Sequence, residues 1–370
     1  MAELGAELSE QERIDRRYMA AAIRLSRKHS GLTATNPSVG TIIVKDGAIV
    51  GRGVTARGGR PHAETEALAE AGEQARGATA YVTLEPCAHH GRTPPCANAL
   101  VTAGIKRVVG AASDPDDRVA GRGYEILRAA GIEVVEGVLA AEAANQIAGY
   151  LIRSLRKRPE VILKLALSAD GMIGREGAGQ VAITGAQSRA QTHLLRAEVD
   201  AILVGVGTVL ADDPELTVRL PGLAARSPAR IVLDRGLRLP TASKLAQTAR
   251  AVPTLAACGE DVDPNRKAEL TASGVQLLAT ETFECRIALP ELMEDLAARG
   301  VSSVLVEGGA QVAAAFLAED LVDRIVLYRS PSVIGADGIK SPMDENSIPS
   351  GFRLLREDRF GDDICREWVR

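Results

Sequence analysis

The stretch from Pro61 to Cys96 contains a histidine and two cysteines of the types that bind zinc. His62 stands in the motif P-H-A-E, and Cys87 and Cys96 flank the segment A-H-H-G-R-T-P-P. One imidazole and two thiolates suit zinc by softness and by geometry. Three protein ligands leave the fourth tetrahedral position open for a water molecule. The pattern therefore predicts a catalytic zinc site.

Glu64, two residues after His62, is the expected proton carrier of this site. The motif H-x-E followed by P-C is typical of zinc deaminases, in which the glutamate is not a ligand but moves protons. We expect Glu64 to take a proton from the activated water and to deliver it to a ring nitrogen and then to departing ammonia. The motif specifies hydrolytic deamination, but it does not specify the substrate.

The spacing of the two cysteines departs from that motif, because eight residues separate them where the usual pattern has two. The extra residues include His89, His90 and Arg92, so this loop can also contact a substrate. Two alternatives stay open at this point. Either His89 or His90 closes a structural zinc site with a fourth ligand, or the cluster binds no metal.

Strands and helices alternate around these residues. A capping box, Ser9 to Glu12, begins a helix over 10–29, and a hairpin follows over 39–54. Patterns of apolar residues then predict a helix ending at Gly72, a strand before Glu85, a helix from Cys96, and a further strand, helix and strand up to residue 139. This order predicts a mixed sheet with helices on both faces.

A helical stretch over 140–158 ends before Pro159, because proline cannot continue a helix. We therefore place a domain boundary at residue 158, with domains over 1–158 and 159–370. A second series of strands follows: EVILKLALS, AILVGV, ARIVLD, TLAAC, VQLLA, VSSVLVEGG and RIVLYRSPSVI. The two halves differ in pattern, which predicts two different folds.

Composition limits the function classes. The chain has 370 residues, 46% of them apolar and 3% aromatic, and a formal net charge of −4. The acidic balance argues against a nucleic-acid partner. The chain has no apolar run of about 18 residues, which argues against a membrane span. We expect a cytoplasmic enzyme that acts on a small molecule.

Several longer segments resemble the bifunctional deaminase–reductase family of riboflavin biosynthesis. In the first half they are NPSVGTIIV, PHAETEAL, YVTLEPCAHHGRTPPC and DPDDRVAGRG; in the second half they are LKLALSADGMI, GVGTVLADDPELTVR and VLVEGGAQVAAAFL. The resemblance covers nearly the whole chain in the expected order. It implies an α/β protein with an N-terminal cytidine-deaminase-like three-layer α/β/α domain and a C-terminal dihydrofolate-reductase-like α/β domain, assembled as a dimer or tetramer.

The resemblance also implies two consecutive reactions on a phosphorylated pyrimidine. A diamino-hydroxy-pyrimidine that carries a phosphoribosylamino group first loses its 2-amino group to water. NADPH then reduces the ribosyl unit to a ribityl chain. Zinc would be held by His62, Cys87 and Cys96, with Glu64 as proton carrier, and Asn36, His89 and Arg92 would contact the first substrate.

For the second site, the resemblance assigns one set of residues to the cofactor and one to the substrate. The NADPH set is Ala166, Ala182, Thr208, Asp212, Gly308, Gly309, Ala310 and Gln311. The substrate set is Lys164, Gln180, Arg196, Leu216, Arg219 and Glu307. Guanidinium groups pair well with phosphate, which suits the two arginines.

The residues alone say less about this half. Glu307-Gly308-Gly309 lies between a predicted strand and a predicted helix. This pattern is compatible with a phosphate-binding turn and equally with an ordinary strand–helix turn. Gln180 and Ala182 stand where the family has serine and tryptophan in S-x-W-I-T. This departure keeps an alternative open, in which the chain is a deaminase whose second domain only binds or dimerises.

Overall fold

The computed structural model describes residues 8–88, 94–116, 119–284 and 286–370. The chain forms two compact units, the first ending at Arg156 and the second spanning Lys157–Arg370. The boundary predicted at residue 158 lies just beyond this division. In the part of the chain described here, no helix has the length and apolar character needed to cross a membrane.

The first unit is built on a five-stranded mixed sheet with the order β2-β1-β3-β4-β5. The pairs β1–β2 and β1–β3 are antiparallel, and the pairs β3–β4 and β4–β5 are parallel. Its elements are α1 (Glu10–Ser26), β1 (Gly40–Lys45), β2 (Ala48–Val54), α2 (Ala63–Ala71), β3 (Thr79–Leu84), α3 (Cys96–Thr102), β4 (Arg107–Ala112), α4 (Arg122–Ala129), β5 (Glu133–Val135), α5 (Ala140–Gln146) and α6 (Ala148–Arg156).

Glycines of the β1–β2 hairpin let helices approach both faces of this sheet. A Cβ atom on Gly40 would lie 2.2 Å from the carbonyl oxygen of Ala22 in α1, and one on Gly53 would lie 1.9 Å from that of Ala63 in α2. Gly53 pairs with Thr41, the neighbour of Gly40, so the two glycines face opposite sides. The predicted mixed sheet with two helical layers is confirmed.

One buried ion pair joins α1 to the beginning of β4. Asp15 accepts hydrogen bonds of 2.8 Å from both terminal nitrogens of Arg107 and one of 3.0 Å from the hydroxyl of Tyr81. Asp15 is 4% exposed. This contact fixes the end of the sheet that lies opposite the carboxyl ends of β3 and β4.

The second unit contains a nine-stranded sheet with the order β11-β10-β9-β8-β14-β6-β15-β18-β17. Its strands are parallel from β11 to β15, and β18 and β17 add an antiparallel edge. The strands of this unit are β6 (Glu160–Leu167), β7 (Met172–Arg175), β8 (Ala201–Gly205), β9 (Ala229–Leu233), β10 (Thr254–Cys258), β11 (Gln276–Ala279), β12 (Thr282–Phe283), β13 (Arg286–Ile287), β14 (Ser303–Val306), β15 (Arg324–Arg329), β16 (Gly338–Lys340), β17 (Arg353–Phe360) and β18 (Asp363–Val369). Outside the nine-stranded sheet, β7 pairs with β16 and β12 pairs with β13. The helices are α7 (Ala186–Glu198), α8 (Val206–Asp212), α9 (Lys244–Gln247), α10 (Pro264–Ser273), α11 (Leu289–Ala298) and α12 (Ala310–Ala318). Both units confirm the predicted α/β class.

Some predicted elements were wrong in extent. The helix predicted over 140–158 is two helices, because Ile147 leaves helical geometry with φ −114° and ψ 22°. The strand predicted up to residue 139 ends at Val135, before Gly137 takes a positive φ of 81°. The residues before Arg219 read ELTV, which resembles a strand in sequence, but they form an irregular segment in which Leu216 has a φ of 53°.

Candidate active sites

The three predicted zinc ligands lie together in the first unit. The Nδ1 atom of His62 is 3.8 Å from Sγ of Cys87 and 3.4 Å from Sγ of Cys96, and all three atoms lie within 4.8 Å of one another. Zn–N bonds of about 2.1 Å and Zn–S bonds of about 2.3 Å in a tetrahedron place nitrogen and sulfur ligands about 3.6 Å apart. The donor set therefore fits zinc.

Each of the three ligands stands at the end of a regular element. His62 is the N-cap residue of α2, Cys96 is the first residue of α3, and Cys87 follows β3. The backbone N–H of Cys96 donates to Sγ of Cys87 over 3.3 Å, and the N–H of Ala97 donates to the carbonyl of Cys87. The N-terminus of α3 therefore faces the sulfur of Cys87, which stabilises the charge of a thiolate there.

The two thiols cannot both ionise easily without a cation between them. Hydrogen bonds from Cys96 and His62 lower the pKa of Cys87 to about 4. The contact with Cys87, together with burial and the charge of Glu64, raises the pKa of Cys96. A divalent cation removes this conflict, because it stabilises both thiolates at once.

Glu64 lies in the first turn of α2 beside this cluster and is 4% exposed. Its carboxylate does not belong to the group of metal-ligating atoms found among the described residues. Burial and the negative charge of Cys87 raise the pKa of Glu64 to about 7. A carboxyl group with this pKa can both accept and release a proton near neutral pH.

The structure places Asn36 on the loop between α1 and β1, half-buried. A Cβ atom on Gly59 would lie 2.3 Å from the side-chain nitrogen of Asn36, so the short 3-10 turn before His62 packs directly against this amide. The backbone N–H of Asn36 donates to the carbonyl of Thr33. The predicted contacts of His89 and Arg92, and the alternative fourth ligand His90, lie outside the described residues.

Sequence reasoning missed three side chains that lie close to this site. Glu85 is 3% exposed and accepts hydrogen bonds from the backbone N–H groups of Gly121 and Gly123. Asp114 is 7% exposed, and it accepts a hydrogen bond of 3.0 Å from the hydroxyl of Tyr150. Their partners are distant in sequence or belong to the backbone, so no local motif marks them.

In the second unit, two strand–turn–helix connections lie side by side. Adjacent parallel strands β8 and β14 lead into α8 and α12, and a Cβ atom on Gly309 would lie 3.7 Å from the hydroxyl of Thr208. The N-cap residue of α12, Gly309, forms no side-chain capping bond. The free N–H groups at this helix end suit a phosphate, so the turn fits the pyrophosphate of a dinucleotide. Gly308, Ala310 and Gln311 form the rest of this turn.

Arg196 and Glu307 form a bidentate ion pair in the second site. Nε of Arg196 lies 2.7 Å from Oε1 of Glu307, and Nη2 lies 2.9 Å from Oε2. The two side chains are 12% and 9% exposed. Burial alone would raise the pKa of Glu307, but the charge and hydrogen bonds of Arg196 outweigh it and lower the pKa to about 2. The fork of Arg196 is therefore engaged by a carboxylate.

Lys164 lies near this pair on β6, with its ammonium 5.8 Å from the centre of the Tyr328 ring. Burial lowers the pKa of Lys164, and the nearby charge of Glu307 counteracts part of that effect. Ala166 follows on the same face of β6 and pairs across the sheet with Tyr328. The ammonium group of Lys164, the small side chain of Ala166 and the ring of Tyr328 on the neighbouring strand β15 therefore lie close together on this sheet.

Arg219 is the more accessible arginine of this site. Its side chain is 50% exposed and contacts Glu215 at 3.3 Å. Its backbone N–H donates to Nδ1 of His193, a residue of α7 that sequence reasoning did not single out. Leu216 is 4% exposed and packs in an apolar core cluster beside β8 and β9.

The remaining predicted residues lie on the rim of this region. Gln180 and Ala182 are exposed on the segment between β7 and α7. Asp212 is the last residue of α8, and burial raises the pKa of its carboxyl group. The structure thus brings Lys164 near the hydrogen-bonded pair of Arg196 and Glu307, whereas Gln180 and Ala182 lie exposed on the segment before α7.

Comparisons with known proteins cover both halves of the chain. Residues 12–112 match the cytidine and deoxycytidylate deaminase zinc-binding region, and residues 159–366 match the RibD C-terminal domain. The riboflavin biosynthesis protein RibD of Escherichia coli is 41% identical to this chain over an alignment of 370 residues. The alignment covers 96% of this chain and 99% of that protein.

Two solved structures share the whole architecture. Acinetobacter baumannii RibD superposes with a TM-score of 0.82 at 37% identity, covering 97% of this chain and 99% of that one. A diaminohydroxyphosphoribosylaminopyrimidine deaminase/5-amino-6-(5-phosphoribosylamino)uracil reductase of Thermotoga maritima superposes with a TM-score of 0.84 at 33% identity, with the same coverage. The match over 159–366 favours two activities over a deaminase with a non-catalytic second domain. Together with the zinc-ligand geometry, these matches show that the chain belongs to the RibD family, bifunctional enzymes of riboflavin biosynthesis that combine a zinc-dependent deaminase domain with an NADPH-dependent reductase domain.

Proposed function

We propose that this enzyme deaminates 2,5-diamino-6-(5-phosphoribosylamino)pyrimidin-4(3H)-one and then reduces the ribosyl group of the product. The name of the Thermotoga relative motivates these substrates. The observation that carries the proposal is the cluster of three donor atoms from His62, Cys87 and Cys96, with Glu64 buried beside this cluster. The first domain, 1–158, would carry out the deamination and the second, 159–370, the reduction.

In the deaminase domain, His62, Cys87 and Cys96 would hold zinc. When bound, zinc lowers the pKa of a water molecule to about 7 and makes it a nucleophile at neutral pH. The carboxylate of Glu64 would pass one proton from the water to a ring nitrogen, and would then pass the remaining hydroxyl proton to the leaving amine. The ring carbon exchanges its C–NH₂ bond for C=O, and ammonia leaves. Asn36, His89 and Arg92 bind the pyrimidine.

In the reductase domain, Ala166, Ala182, Thr208, Asp212 and the turn from Gly308 to Gln311 contact NADPH. When bound, NADPH supplies the two electrons that open the ribosyl ring to a ribityl chain. The exposed arginine, Arg219, binds the substrate phosphate, because its side chain is 50% exposed and its guanidinium can form charge-assisted hydrogen bonds to phosphate. The Arg196–Glu307 pair orients the sugar, and Lys164, Gln180 and Leu216 complete the substrate set.

The test is a paired assay on zinc-loaded enzyme given the diamino-pyrimidine ribosyl phosphate. Ammonia release and NADPH oxidation are followed in the same tube. We expect both signals, with NADPH oxidised only after ammonia appears. Ammonia without NADPH oxidation would contradict the reductase assignment, and neither signal would contradict the substrate assignment.

The same proposal includes the setting of the enzyme. It acts in the cytoplasm on a phosphorylated small molecule, as the NADPH requirement suggests, and it assembles as a homo-oligomer. The acidic net charge of −4 argues against a nucleic-acid substrate. Light scattering at several protein concentrations measures the oligomeric state, and a monomer at all concentrations would contradict this part.

A further inference from the structure

We propose that Glu85 is a positioning residue of the deaminase domain, which fixes Cys87 for zinc by fastening its strand to the beginning of α4. The inference rests on the ligand set proposed above. Glu85 is two residues before Cys87, and its carboxylate does not belong to the group of metal-ligating atoms found among the described residues. Its contribution to zinc binding is therefore made through the backbone.

The carboxylate of Glu85 binds the N-terminal end of α4 with both oxygens. Oε2 accepts a hydrogen bond of 3.0 Å from the N–H of Gly121, and Oε1 accepts one of 3.0 Å from the N–H of Gly123. The backbone of Asp114 forms a further hydrogen bond with this carboxylate. One buried side chain thus joins Asp114 and Gly121 of the loop between β4 and α4, and Gly123 of α4, to the end of β3.

Gly123 shows how closely these segments are packed. A Cβ atom at this position would lie 2.0 Å from the carbonyl oxygen of Pro86 and 3.1 Å from Oε1 of Glu85. Any side chain here would therefore displace the backbone between Glu85 and Cys87. The φ of Gly123 is not in the left-handed region, so its backbone conformation does not require glycine. The close contact with Pro86 and Glu85 does.

Cys87 is held from the other side by α3. Its carbonyl accepts from the N–H of Ala97, and its sulfur accepts from the N–H of Cys96. The two helices therefore fix the Cys87 backbone from two directions, which keeps Sγ at its distance from His62 without metal. Preorganisation of this kind raises metal affinity, and losing an outer partner typically costs about 10–100-fold.

The test compares two variants that loosen this contact with one that does not. Glu85→Gln keeps the shape of the side chain but removes one of the two acceptor oxygens. Gly123→Ala leaves Glu85 intact and pushes the same backbone from the opposite side, so the test survives if Glu85→Gln fails to fold. Asp15→Asn is the matched control, because it weakens another buried carboxylate of the same domain. Asp15 binds Arg107 at the start of β4, whereas Glu85 pairs with Ala112 at its end, about 16 Å along the strand.

Zinc affinity is measured by competition with a chromophoric chelator, below the unfolding temperature of every variant. We expect Glu85→Gln and Gly123→Ala to bind zinc about 10–100-fold more weakly, and Asp15→Asn to stay within about twofold of the parent. The absorption spectrum of the cobalt-substituted protein should change in the first two variants alone, because it reports the ligand geometry. Equal zinc affinities for Glu85→Gln and Asp15→Asn would overturn the proposal.

Cys87→Ser separates this proposal from the ligand assignment on which it rests. If Cys87→Ser binds zinc as tightly as the parent, the ligand set is wrong. If Cys87→Ser loses zinc while Glu85→Gln and Gly123→Ala keep it, the ligand set stands and the role of Glu85 is disproved.

Discussion

The deaminase site is formed by side chains at two helix N-termini and one strand end, whereas the reductase site is formed by the ends of strands that are distant in sequence. In the proposed zinc site, His62, Cys87 and Cys96 would carry the metal chemistry themselves, and their donor atoms lie within 4.8 Å of one another. In the second unit, the Arg196–Glu307 pair joins residues 111 positions apart. The chemistry there belongs to the cofactor, so the protein contributes binding and orientation.

This contrast determines how each site tolerates change. A site made of a few ligands fails when one ligand or the proton carrier is lost. A site made of backbone turns and a buried ion pair loses affinity or stability first. Substitutions in the first site should therefore abolish activity, whereas substitutions in the second should first weaken binding or stability.

The largest effect is expected for Glu64→Gln. Glutamine cannot carry the proton, so deamination should fall by about 10²–10⁴-fold while zinc content stays that of the parent. Reduction of the deaminated intermediate, supplied directly, should not change, because the second site has its own residues. Ammonia release, zinc analysis and NADPH oxidation measure these three outcomes. Loss of zinc along with activity would mean that Glu64 is a ligand.

Glu307→Gln should affect the second unit and leave ammonia release intact. Removing one partner of a buried ion pair leaves a buried charge unpaired, which costs about 3–5 kcal/mol of stability. The only tryptophan, Trp368, lies in β18 of this unit, so its fluorescence during urea unfolding reports this unit. Reduction should also fall, since Arg196 is no longer oriented.

Glu215→Gln is the matched control for that variant, because it removes a carboxylate from an arginine pair that is half-exposed. Exposed pairs contribute little, so we expect an unfolding midpoint close to that of the parent. If both variants lose the same amount of stability, the buried Arg196–Glu307 pair contributes no more to stability than the half-exposed pair.

The same pair predicts an acid limit for the second unit. The pKa of Glu307 is lowered from 4.5 to about 2, so its contribution to stability is present above pH 4.5 and is lost as the pH falls towards 2. Urea midpoints followed at Trp368 between pH 6 and pH 3 should fall with acidity in the parent and fall less in Glu307→Gln. Parallel curves would contradict this assignment.

Local patterns in the sequence singled out the three donor residues that the structure brings within 4.8 Å of one another. The motif around His62 and Glu64 names ligand and proton carrier at once, and the period of apolar residues placed their helix correctly. Glu85 was missed, because its partners are the backbone N–H groups of Gly121 and Gly123. Every residue except proline has a backbone N–H group, so residue types do not reveal which backbone groups a side chain binds.

The second unit was less predictable for two physical reasons. Strand β17 reads RLLREDRF, a charged edge strand without the alternation of a half-buried one, so no pattern marked it. The ion pair of Arg196 with Glu307 depends on the order of β8, β14 and the helices beside them, which single segments do not encode. The turn at Gly308 and Gly309 was found, because glycines between a strand and a helix are a local signal.

A moderate effect is expected for Arg219→Gln. A charge-assisted contact to phosphate is lost, so KM for the reductase substrate should rise about tenfold while kcat changes little. Kinetics at two salt concentrations check the electrostatic origin, because the difference between parent and variant should shrink at high salt. A fall in kcat at constant KM would place Arg219 in the chemical step instead.

The smallest effect, and the only expected gain, is for Ala182→Trp. The S-x-W-I-T pattern of the resemblance noted in the sequence places tryptophan at this position, and Ala182 is exposed on the segment before α7. A large ring beside the cofactor adds contact worth about 0.5–1.5 kcal/mol, so KM for NADPH should fall about 2–10-fold with deamination unchanged. Ala182→Leu is the control, because it adds apolar volume without a planar ring and should give a smaller gain. If tryptophan leaves KM for NADPH unchanged, this segment does not line the cofactor, and the reductase site tolerates the departure because the turn at Gly308 and Gly309 provides most of the binding.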